Sequence, residues 1–492
     1  MADAPYKIVI GLEVHVQLST KSKLFCGCST EFGAPPNTQV CPVCLGLPGS
    51  LPVMNAEAVE LAIRTGTALN CEIASTTKWD RKNYFYPDLP KGYQISQFDQ
   101  PICGEGYLEF ADPDNEGATL KVRLIRAHLE EDAGKSMHDE AAGKADSRID
   151  LNRTGTPLLE IVSYPDLRSA AAAKAYLTEL RLLLTYLGVS DCNMQEGSLR
   201  ADANVNLHIE KDGRTLATPI VEVKNLNSFR AVERAITYES QRQYDQWQKT
   251  GQVIGDAPKQ TRGWDDEAGV TVAQREKEES SDYRYFPDPD LVPLKISAEQ
   301  MKRASSGAEL PAAIRRRLEG ELGLKAYDAD VIVSQGRGVV AYFDAAVQSG
   351  ASAKRVSSWV QQDVMRTLKE QDWTIENFPL GAPRLASLLK AIDDGGIDNS
   401  RGKEVFQYWL QHPEADLDSA KQALGIASID RGEIENLCRE LLAEHPQVVA
   451  QVREGNLKGL GSLIGAAKKK NPNADPKLVR EMCQQMIESG AV

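Results

Sequence analysis

The sequence lacks the features of membrane-spanning and secreted proteins. No apolar run approaches the roughly 18–20 residues that cross a bilayer. The opening segment MADAPYKIVIGLEVH has a strand-like pattern without a basic region or a cleavage site. Nine cysteines are an odd number in a 492-residue chain that is long enough to fold without disulfides. We therefore expect a cytoplasmic protein with no membrane partner.

Motifs of hydrolytic nucleophiles are also missing. The chain has no G-x-S-x-G elbow. The string Ala133-Gly134-Lys135-Ser136 resembles the end of a Walker A loop, but the first glycine of that motif would fall at Leu129. With 57 basic and 70 acidic residues, the net charge is -13. This charge balance argues against a protein that coats nucleic acid non-specifically. It permits a local basic site that binds one polyanion.

The hydrophobic pattern of the sequence differs between its first and its second part. Up to about residue 293, alternating runs at 12–18, 120–128, 204–209 and 220–223 predict strands. Between them, Ser169 as N-cap and Gly188 after the C-terminus delimit the clearest amphipathic helix. From Ser297, which forms a capping box with Gln300, the pattern is almost wholly helical.

These two patterns predict an α+β fold in which a domain built on an antiparallel sheet precedes two helical domains. The first domain spans residues 1–293, with short strands and interspersed helices. The second spans residues 294–412 and the third, a helical tail, residues 413–492.

Four cysteines form a C-x-C and a C-x-x-C knuckle separated by twelve residues. They are Cys26, Cys28, Cys41 and Cys44. Two tight knuckles present four thiolates to one point, which suits a closed, structural, tetrahedral zinc site. The alternative is four unrelated free thiols.

A second group combines carboxylates with imidazoles. Glu13 and His15 share the polar face of the first strand, and His128, Glu130 and Glu131 lie at the end of another. Brought together, these groups would repel unless a hard cation such as Mg²⁺ neutralised them. A solvated sheet face is the alternative, and the sequence does not show that the two strands are neighbours.

Two cationic segments could bind phosphates. The loop at 80–93 mixes Arg81, Lys82 and Lys91 with aromatic residues, which could clamp phosphates and stack on a base. An ordinary charged loop would have the same composition. Residues 451–480 carry seven basic and two acidic side chains, a local balance of +5. The glycine-rich segment 459–465 predicts a turn that phosphates could approach, and a solvated lysine run is the alternative.

Long strings of the sequence resemble one protein family in the order of that family. They are IGLEVH (10–15), RKNYFYPD (81–88), GYQISQ (92–97), LEEDAGK (129–135), DLNRTGTPL (150–158), EGSLR (196–200), VKNLNS (223–228), DYRYFPD (282–288) and GNLKGLGSLIG (455–465). The chain is thereby identified as similar to the B subunit of the bacterial tRNA-dependent amidotransferase, with a YqeY-like tail. The resemblance extends over the whole chain.

The resemblance implies a heterotrimeric ligase that converts Glu-tRNA(Gln) to Gln-tRNA(Gln), or Asp-tRNA(Asn) to Asn-tRNA(Asn). The A subunit would release ammonia from glutamine, the B subunit would activate the tRNA-borne carboxylate with ATP and amidate it, and the small C subunit would wrap around both. ATP, Mg²⁺ and structural Zn²⁺ are the expected cofactors. The misacylated tRNA is an expected partner, and the cognate aminoacyl-tRNA synthetase is a candidate partner.

The resemblance also assigns roles to residues of this chain. Mg²⁺ is expected at Glu13, His15, Glu130 and Glu131. The expected catalytic residues are Glu13, His15, Glu131, Lys82 and Lys91, with the two lysines offsetting developing charge. ATP or substrate is expected to contact Arg81, Tyr84, Tyr86, Lys135, Arg200 and Lys224. The tail is expected to contact tRNA through Lys458, Lys468, Lys469 and Lys470. A non-catalytic RNA-binding scaffold with a zinc knuckle is the competing class.

Overall fold

The computed structural model describes residues 5–138, 147–274, 282–305, 307, 309–426, 431–453 and 456–489. The chain divides into two compact units, residues 1–313 and 314–492. Among the described residues, no helix has both the length and the apolar character that crossing a bilayer requires.

All the strands among the described residues lie in the first unit. They are β1 (Lys7–Gln17), β2 (Thr76–Thr77), β3 (Asp80–Asn83), β4 (Tyr93–Ser96), β5 (Gly106–Ala111), β6 (Thr119–Glu131), β7 (Lys135–His138), β8 (Ser147–Asp150), β9 (Pro157–Ser163), β10 (Leu199–Lys211), β11 (Arg214–Ala217), β12 (Val221–Lys224), β13 (Gln260–Asp265), β14 (Val270–Ala273), β15 (Phe286–Pro287) and β16 (Leu294–Lys295). Its helices are α1 (Ala56–Ala68), α2 (Ala170–Tyr186), α3 (Phe229–Thr250) and α4 (Ala298–Ser305).

A nine-stranded sheet organises this unit. Its order is β14-β13-β12-β10-β1-β9-β6-β5, with β11 paired to β10. The pairs are antiparallel except β12 with β13, which run parallel. The α+β class is therefore confirmed, with a sheet that is antiparallel apart from one pair, and the four predicted runs correspond to β1, β6, β10 and β12 to within one residue at an end.

The two faces of this sheet differ in chemistry. In β1, Leu12, Val14 and Val16 are fully buried in the core, whereas Glu13 and His15 alternate with them on the other face. Helices α1, α2 and α3 cover the apolar face: α2 packs against α3 and β5, and α3 packs against β10. The polar face is left available for a site.

Helix α2 begins and ends where the sequence predicts. The Ser169 side chain accepts a hydrogen bond from the Ala172 N–H at 2.9 Å, and Gly188 has a φ of +66° just after the helix. Leu177, Leu180 and Leu184 are buried along one stripe. The predicted amphipathic helix is confirmed together with its N-cap.

A three-stranded sheet, β15-β3-β4, stands beside the large one. It joins the strings RKNYFYPD and DYRYFPD, because Phe286 of β15 pairs with Arg81 of β3. The Asn83 side chain donates to the Arg284 carbonyl at 2.7 Å, and the Asn83 N–H donates to the Tyr283 carbonyl at 2.9 Å. Two similar strings that are far apart in sequence thus lie side by side.

The first unit extends beyond the predicted boundary at residue 293. Strand β16 pairs with β2, and α4 packs against α1. Arg303 Nε lies 2.8 Å from Glu60 Oε1, and the predicted capping box precedes α4, since the Ser297 N–H donates to Gln300 Oε1 at 2.8 Å. The compact unit therefore ends at residue 313, not 293.

The second unit is helical. Its helices are α5 (Pro311–Gly320), which begins at the end of the first unit, α6 (Ala326–Ser334), α7 (Arg337–Gln348), α8 (Ala353–Trp359), α9 (Met365–Gln371), α10 (Ala382–Asp393), α11 (Asn399–Gln411), α12 (Leu417–Ala423), α13 (Arg431–Glu444), α14 (Pro446–Arg453), α15 (Leu460–Lys470) and α16 (Pro476–Glu488). A π-helical turn, Val360–Val364, connects α8 to α9. A separate core between Ile434 and Ile487 holds the tail helices together. A domain boundary at residue 413 stays a prediction.

Local signals in the tail gave one correct and one wrong expectation. Asp475 caps α16, accepting from the Lys477 N–H at 2.7 Å, with Pro476 as the first helical residue. The segment 459–465, predicted to be a glycine-rich turn, lies instead in a 3₁₀ turn and in α15. Leu460 and Leu463 are buried in the tail core, and this burial outweighs the low helix propensity of the three glycines.

Candidate functional site

The polar face of the nine-stranded sheet forms the floor of a cleft of about 1470 Å³. The register places His15 of β1 opposite Glu160 of β9 and Arg200 of β10, and His128 of β6 opposite Glu160. Residues that alternate with the core therefore converge on one surface. The charged side chains of the cleft are Glu13, His15, Lys82, Asp88, Arg126, His128, Glu130, Glu160, Asp202, Glu222, Lys224, Lys259, Asp282 and Arg284.

Three of these side chains form a candidate cation site. One ligand atom each from His15, Glu130 and Glu160 lies within 4.8 Å of the others. His15 Nε2 is 3.5 Å from Glu160 Oε2 and 3.8 Å from Glu130 Oε1. Mg²⁺ with ligands at about 2.1 Å needs ligand atoms about 3.0–4.2 Å apart. Two carboxylates and one imidazole at these distances fit a divalent cation.

The electrostatics of this group favour an ionised carboxylate at Glu160. Burial works against ionisation of Glu160, but the hydrogen bond from His15 and the charges of His128 and Arg126 outweigh it and hold the pKa of Glu160 well below its usual range. Burial likewise works against the charged form of His15, and Glu160 and Glu130 outweigh it and raise the pKa of His15. The ionised Glu160 carboxylate supplies negative charge, and His15 would bind a cation only after losing its proton, so a cation and a proton compete for it.

The predicted ligand Glu13 lies in the cleft beside this group. Its Oε1 accepts a hydrogen bond from the Asn204 side chain at 3.0 Å. It is not among the three residues whose ligand atoms converge, within the part of the chain that the structure describes. Glu13 therefore remains a cleft residue with a carboxylate available to a bound substrate.

Glu131 requires a correction, because it lies apart from His15 and Glu130. Consecutive residues of a strand point to opposite faces, so Glu131 of β6 leaves the cleft when Glu130 faces it. Glu131 forms a buried ion pair with Lys91 and accepts from the Ile95 N–H at 2.9 Å. Both members of the pair line a separate pocket of about 290 Å³. The expectation that Glu131 shares a cation with His15 is not met.

The predicted phosphate-binding residues separate into two groups. Lys82, Tyr84, Tyr86 and Lys224 line the cleft. Lys82 Nζ lies 4.8 Å from the ring centre of Tyr283. Lys224 Nζ lies 2.9 Å from Asp202 and 3.3 Å from Glu222. Burial opposes its charge, but the two carboxylates outweigh burial and raise the pKa of Lys224.

The second group is not part of the cleft lining, although Arg200 of β10 is paired with His15 of β1. Arg81 is bound at 2.8 Å by Asp288 and at 2.9 Å by Asp290. Arg200 donates to Asp132 at 2.7 Å, and Lys135 is an exposed residue of β7. Arg81 lines the separate pocket with Lys91 and Glu131. The expected contacts of Arg81, Arg200 and Lys135 with ATP or substrate stay predictions.

The four predicted zinc ligands do converge. The Sγ atoms of Cys26, Cys28, Cys41 and Cys44 lie within 4.8 Å of one another, and those of Cys41 and Cys44 are 3.9 Å apart. Tetrahedral zinc with Zn–S bonds of about 2.3 Å needs sulfurs about 3.8 Å apart. The donor set and its spacing therefore fit zinc.

A buried lysine supports this cysteine cluster. Lys23 is fully buried, and its Nζ donates to the Gln39 carbonyl at 2.7 Å and to Cys44 Sγ at 3.7 Å. The hydrogen bond from Cys26, aided by the Lys23 charge, lowers the pKa of Cys44 to about 4.

Gly46, with a φ of +68°, follows the second knuckle, and a Cβ there would clash with Lys91.

The predicted tRNA-contacting lysines differ in their surroundings. Lys468 Nζ donates to Asp398 at 2.7 Å, and Lys470 Nζ donates to Glu444 at 2.6 Å. Lys469 is exposed in the last turn of α15, and Lys458 lies in the 3₁₀ turn before it. The run is thus not one uniform cationic surface.

Sequence reasoning missed Glu160. It is the only charged residue in β9, Pro157–Ser163, whose other residues are buried. A single carboxylate inside an apolar strand is the signal that could have identified it, since such a charge needs a partner. Phe98 and Tyr285, which also line the cleft, were missed as well.

Comparisons with known proteins fit this arrangement. Residues 8–302 match the family described as the GatB/GatE catalytic domain, and residues 341–487 match the GatB domain. The chain is 61% identical to the B subunit of the aspartyl/glutamyl-tRNA(Asn/Gln) amidotransferase of Rhodopirellula baltica over 484 residues, covering 98% of this chain and 97% of that protein. It is 46% identical to the protein of the same name from Chlorobaculum tepidum over 487 residues, covering 98% of this chain and 100% of that protein. The relative in Thermosynechococcus vestitus is 46% identical over 501 residues, covering 100% of this chain and 98% of that protein.

Proposed function

The chain belongs to the family of aspartyl/glutamyl-tRNA(Asn/Gln) amidotransferase B subunits, and from this membership we propose how its cleft performs the amidation. The substrate is a glutamate or aspartate esterified to tRNA(Gln) or tRNA(Asn). ATP activates the side-chain carboxylate, and ammonia from a glutaminase subunit replaces the activated oxygen. The enzyme is thus a carbon–nitrogen ligase with glutamine as the amido donor.

The chemistry explains why a cleft with cations and carboxylates is needed. A carboxylate resists ammonia because its charge repels the nucleophile and oxide is a poor leaving group. When a carboxylate oxygen attacks the γ-phosphorus of ATP, ADP leaves and an acyl phosphate forms. Ammonia then attacks the carbonyl carbon, the C–O bond to phosphate breaks, and the attacking nitrogen loses a proton.

The observation that carries this proposal is the His15–Glu130–Glu160 group on the floor of a large cleft. These three side chains would hold Mg²⁺, whose charge would offset that of phosphate groups bound in the cleft. Lys82 would then neutralise charge on phosphate oxygens from the cleft wall, and Lys224, which already pairs with Asp202 and Glu222, would contribute less. Glu13, which accepts a hydrogen bond from Asn204, would accept a proton from the attacking nitrogen.

The remaining assignments follow from the same premise. We propose that the cysteine cluster binds one structural Zn²⁺ per chain, and that a heterotrimer forms with the glutaminase (A) and small (C) subunits. All nine cysteines are free, which supports a reducing cytoplasmic location.

The test is Glu160→Gln in the assembled complex, assayed with both Glu-tRNA(Gln) and Asp-tRNA(Asn). Removing one anionic ligand should lower ATP-dependent amidation about 100-fold and raise the Mg²⁺ concentration for half-maximal rate. Binding of tRNA and glutamine hydrolysis measured without tRNA should change less than about threefold. Glu109→Gln, on the exposed edge strand β5, is the matched control. Retained amidation in the Glu160 variant would remove the cation group from the mechanism.

A non-catalytic RNA-binding scaffold is the competing function. It predicts no ATP consumption and a steep fall of tRNA affinity with salt. ATP consumption that depends strictly on the misacylated form of the tRNA would exclude the scaffold. The same assay, run with each tRNA, identifies the substrate.

We also propose that the tail contacts tRNA through its exposed lysines. Lys458→Glu with Lys469→Glu should weaken tRNA binding and reduce the salt slope by about 0.7–0.9 for each lost phosphate contact. Lys468 and Lys470 already pair with acidic residues, so they should contribute less. Lys249→Glu, an exposed lysine of the first unit, should leave binding unchanged. If the double variant binds tRNA with wild-type affinity at about 150 mM salt, the tail lysines serve only as a solubilising surface.

A further inference from the structure

Two aromatic rings stack against each other in the wall of the cleft. The ring centres of Phe98 and Tyr285 are 4.1 Å apart, and their planes differ by 9°. Phe98 follows β4, and Tyr285 precedes β15, so the pair joins the two edges of the three-stranded sheet. The Phe98 side chain is 56% exposed, which is notable for a large apolar ring in a cleft whose other lining residues are mostly polar.

The surrounding contacts hold the pair in place. The Phe98 N–H donates to the buried carboxylate of Asp80 at 3.1 Å. The segment before Tyr285 is fixed by the hydrogen bonds of Asn83 to Tyr283 and Arg284. A preorganised ring loses little conformational entropy when a ligand stacks on it.

The position of the pair matches a ligand that carries both a base and phosphates. Phe98 and Tyr285 share the cleft with Glu130 and Glu160 of the cation group and with Lys82. The other rings nearby are arranged edge-on: Tyr84 meets Tyr283 with an interplanar angle of 71°. The Phe98 ring is the more exposed member of the only parallel stack in the described part of the cleft.

We propose that the exposed face of Phe98, supported from behind by Tyr285, is a stacking platform for an adenine base. This inference rests on the proposed function, because both of its substrates carry adenine: ATP, and the terminal adenosine at the 3′ end of tRNA. An aromatic face binds any purine by stacking, and the neighbouring cations favour the attached phosphates.

The test replaces Phe98 in the assembled complex by Leu, which keeps apolar volume without a π-face, and by Trp, which restores one. The KM for ATP is measured at saturating Glu-tRNA(Gln), and the KM for the tRNA at saturating ATP. Phe98→Leu should raise at least one KM about 10-fold or more, and Phe98→Trp should return it to within about twofold of wild type. A rise for ATP assigns the platform to the nucleotide, and a rise for tRNA assigns it to the terminal adenosine.

A binding measurement separates the two sources independently of turnover. Uncharged tRNA with and without its 3′ adenosine is titrated into the wild-type and Phe98→Leu complexes. If the terminal adenosine stacks on Phe98, the variant should weaken binding of the intact tRNA only. Phe32→Ala, a 70% exposed phenylalanine outside the cleft lining, is the matched control.

Three results would overturn the platform. They are unchanged KM values in Phe98→Leu, equal effects of Leu and Trp, and an equal effect of Phe32→Ala. Failure of the proposed function is distinguishable, since the wild-type complex itself would then show no ATP-dependent amidation.

Discussion

The two candidate metal sites of the first unit are built in opposite ways. The cysteine cluster takes all four ligands from residues 26–44, and four sulfurs complete a tetrahedron. The cleft cluster takes one ligand each from β1, β6 and β9 and leaves its remaining positions to the cleft. A closed ligand set suits a structural role, and an open one suits a site where phosphates bind.

The largest effect should come from removing one ligand of the closed site. Cys41→Ser should reduce bound zinc from one ion per chain to almost none, because three sulfurs bind zinc far less tightly than four. The loss should destabilise the first unit by several kcal/mol, since zinc binding contributes to folding. Metal analysis of protein purified without chelator and denaturant unfolding measure the two effects.

Cys71→Ser is the control for that variant. Cys71 lies outside the group of four converging sulfurs, so it is not expected to bind the ion. The Cys71→Ser variant should retain one zinc ion per chain. Protein that contains no zinc before any substitution would contradict the closed-site assignment.

The open site should lose its ion more easily than the closed one. Brief exposure of the complex to EDTA followed by desalting should abolish amidation, and Mg²⁺ alone should restore it. Zinc content should stay unchanged over the same time, because the cysteine ligands surround their ion. If zinc leaves as fast as activity, the contrast between the two sites is wrong.

An intermediate effect is expected at the ion pairs of Asp132 with Arg200 and Arg153. Asp132 is buried and accepts hydrogen bonds from Gln17 and Arg200, each at 2.7 Å. Asp132→Asn should cost about 1–3 kcal/mol of unfolding free energy at neutral pH, because charge-assisted hydrogen bonds are lost. Zinc content should not change.

The pH dependence of that loss has a definite sign. Burial opposes ionisation, but Arg200 and Arg153 outweigh it and lower the pKa of Asp132 in the folded state. Its stabilisation is therefore fully present above the unfolded pKa near 3.9 and disappears as the pH falls through the folded value. The stability difference between wild type and Asp132→Asn should be constant above about pH 5 and shrink below about pH 4. A difference that grows on acidification would contradict the pairing.

The smallest effect concerns the support of the closed site. Lys23→Met should weaken zinc binding about 10-fold, because the buried ammonium offsets the negative charge of four thiolates through Cys44. Chelator competition measures the affinity. Lys21→Met, two residues away and exposed, should bind zinc like wild type. Equal affinities in the two variants would show that the Lys23 charge plays no part.

The comparison also explains what sequence could predict. The zinc knuckles and the caps Ser169 and Asp475 are local signals, and the structure contains each of them. The cation group depends on which strands are neighbours and in what register, so Glu160 was missed and Glu131 was grouped with the wrong face. The prediction of a turn at the tail glycines is wrong for a similar reason, because burial of the neighbouring residues makes α15 helical.

The pairing of β15 with β3 has a consequence for the order in which the protein is made. The cation ligands occur early in the chain, and their sheet can form once β10 has left the ribosome. The cleft wall needs Tyr283 and Arg284, whose carbonyls bind Asn83 about two hundred residues upstream. A nascent chain that stops before this segment should therefore present a folded sheet whose cleft wall is incomplete, and translation through β15 completes the wall.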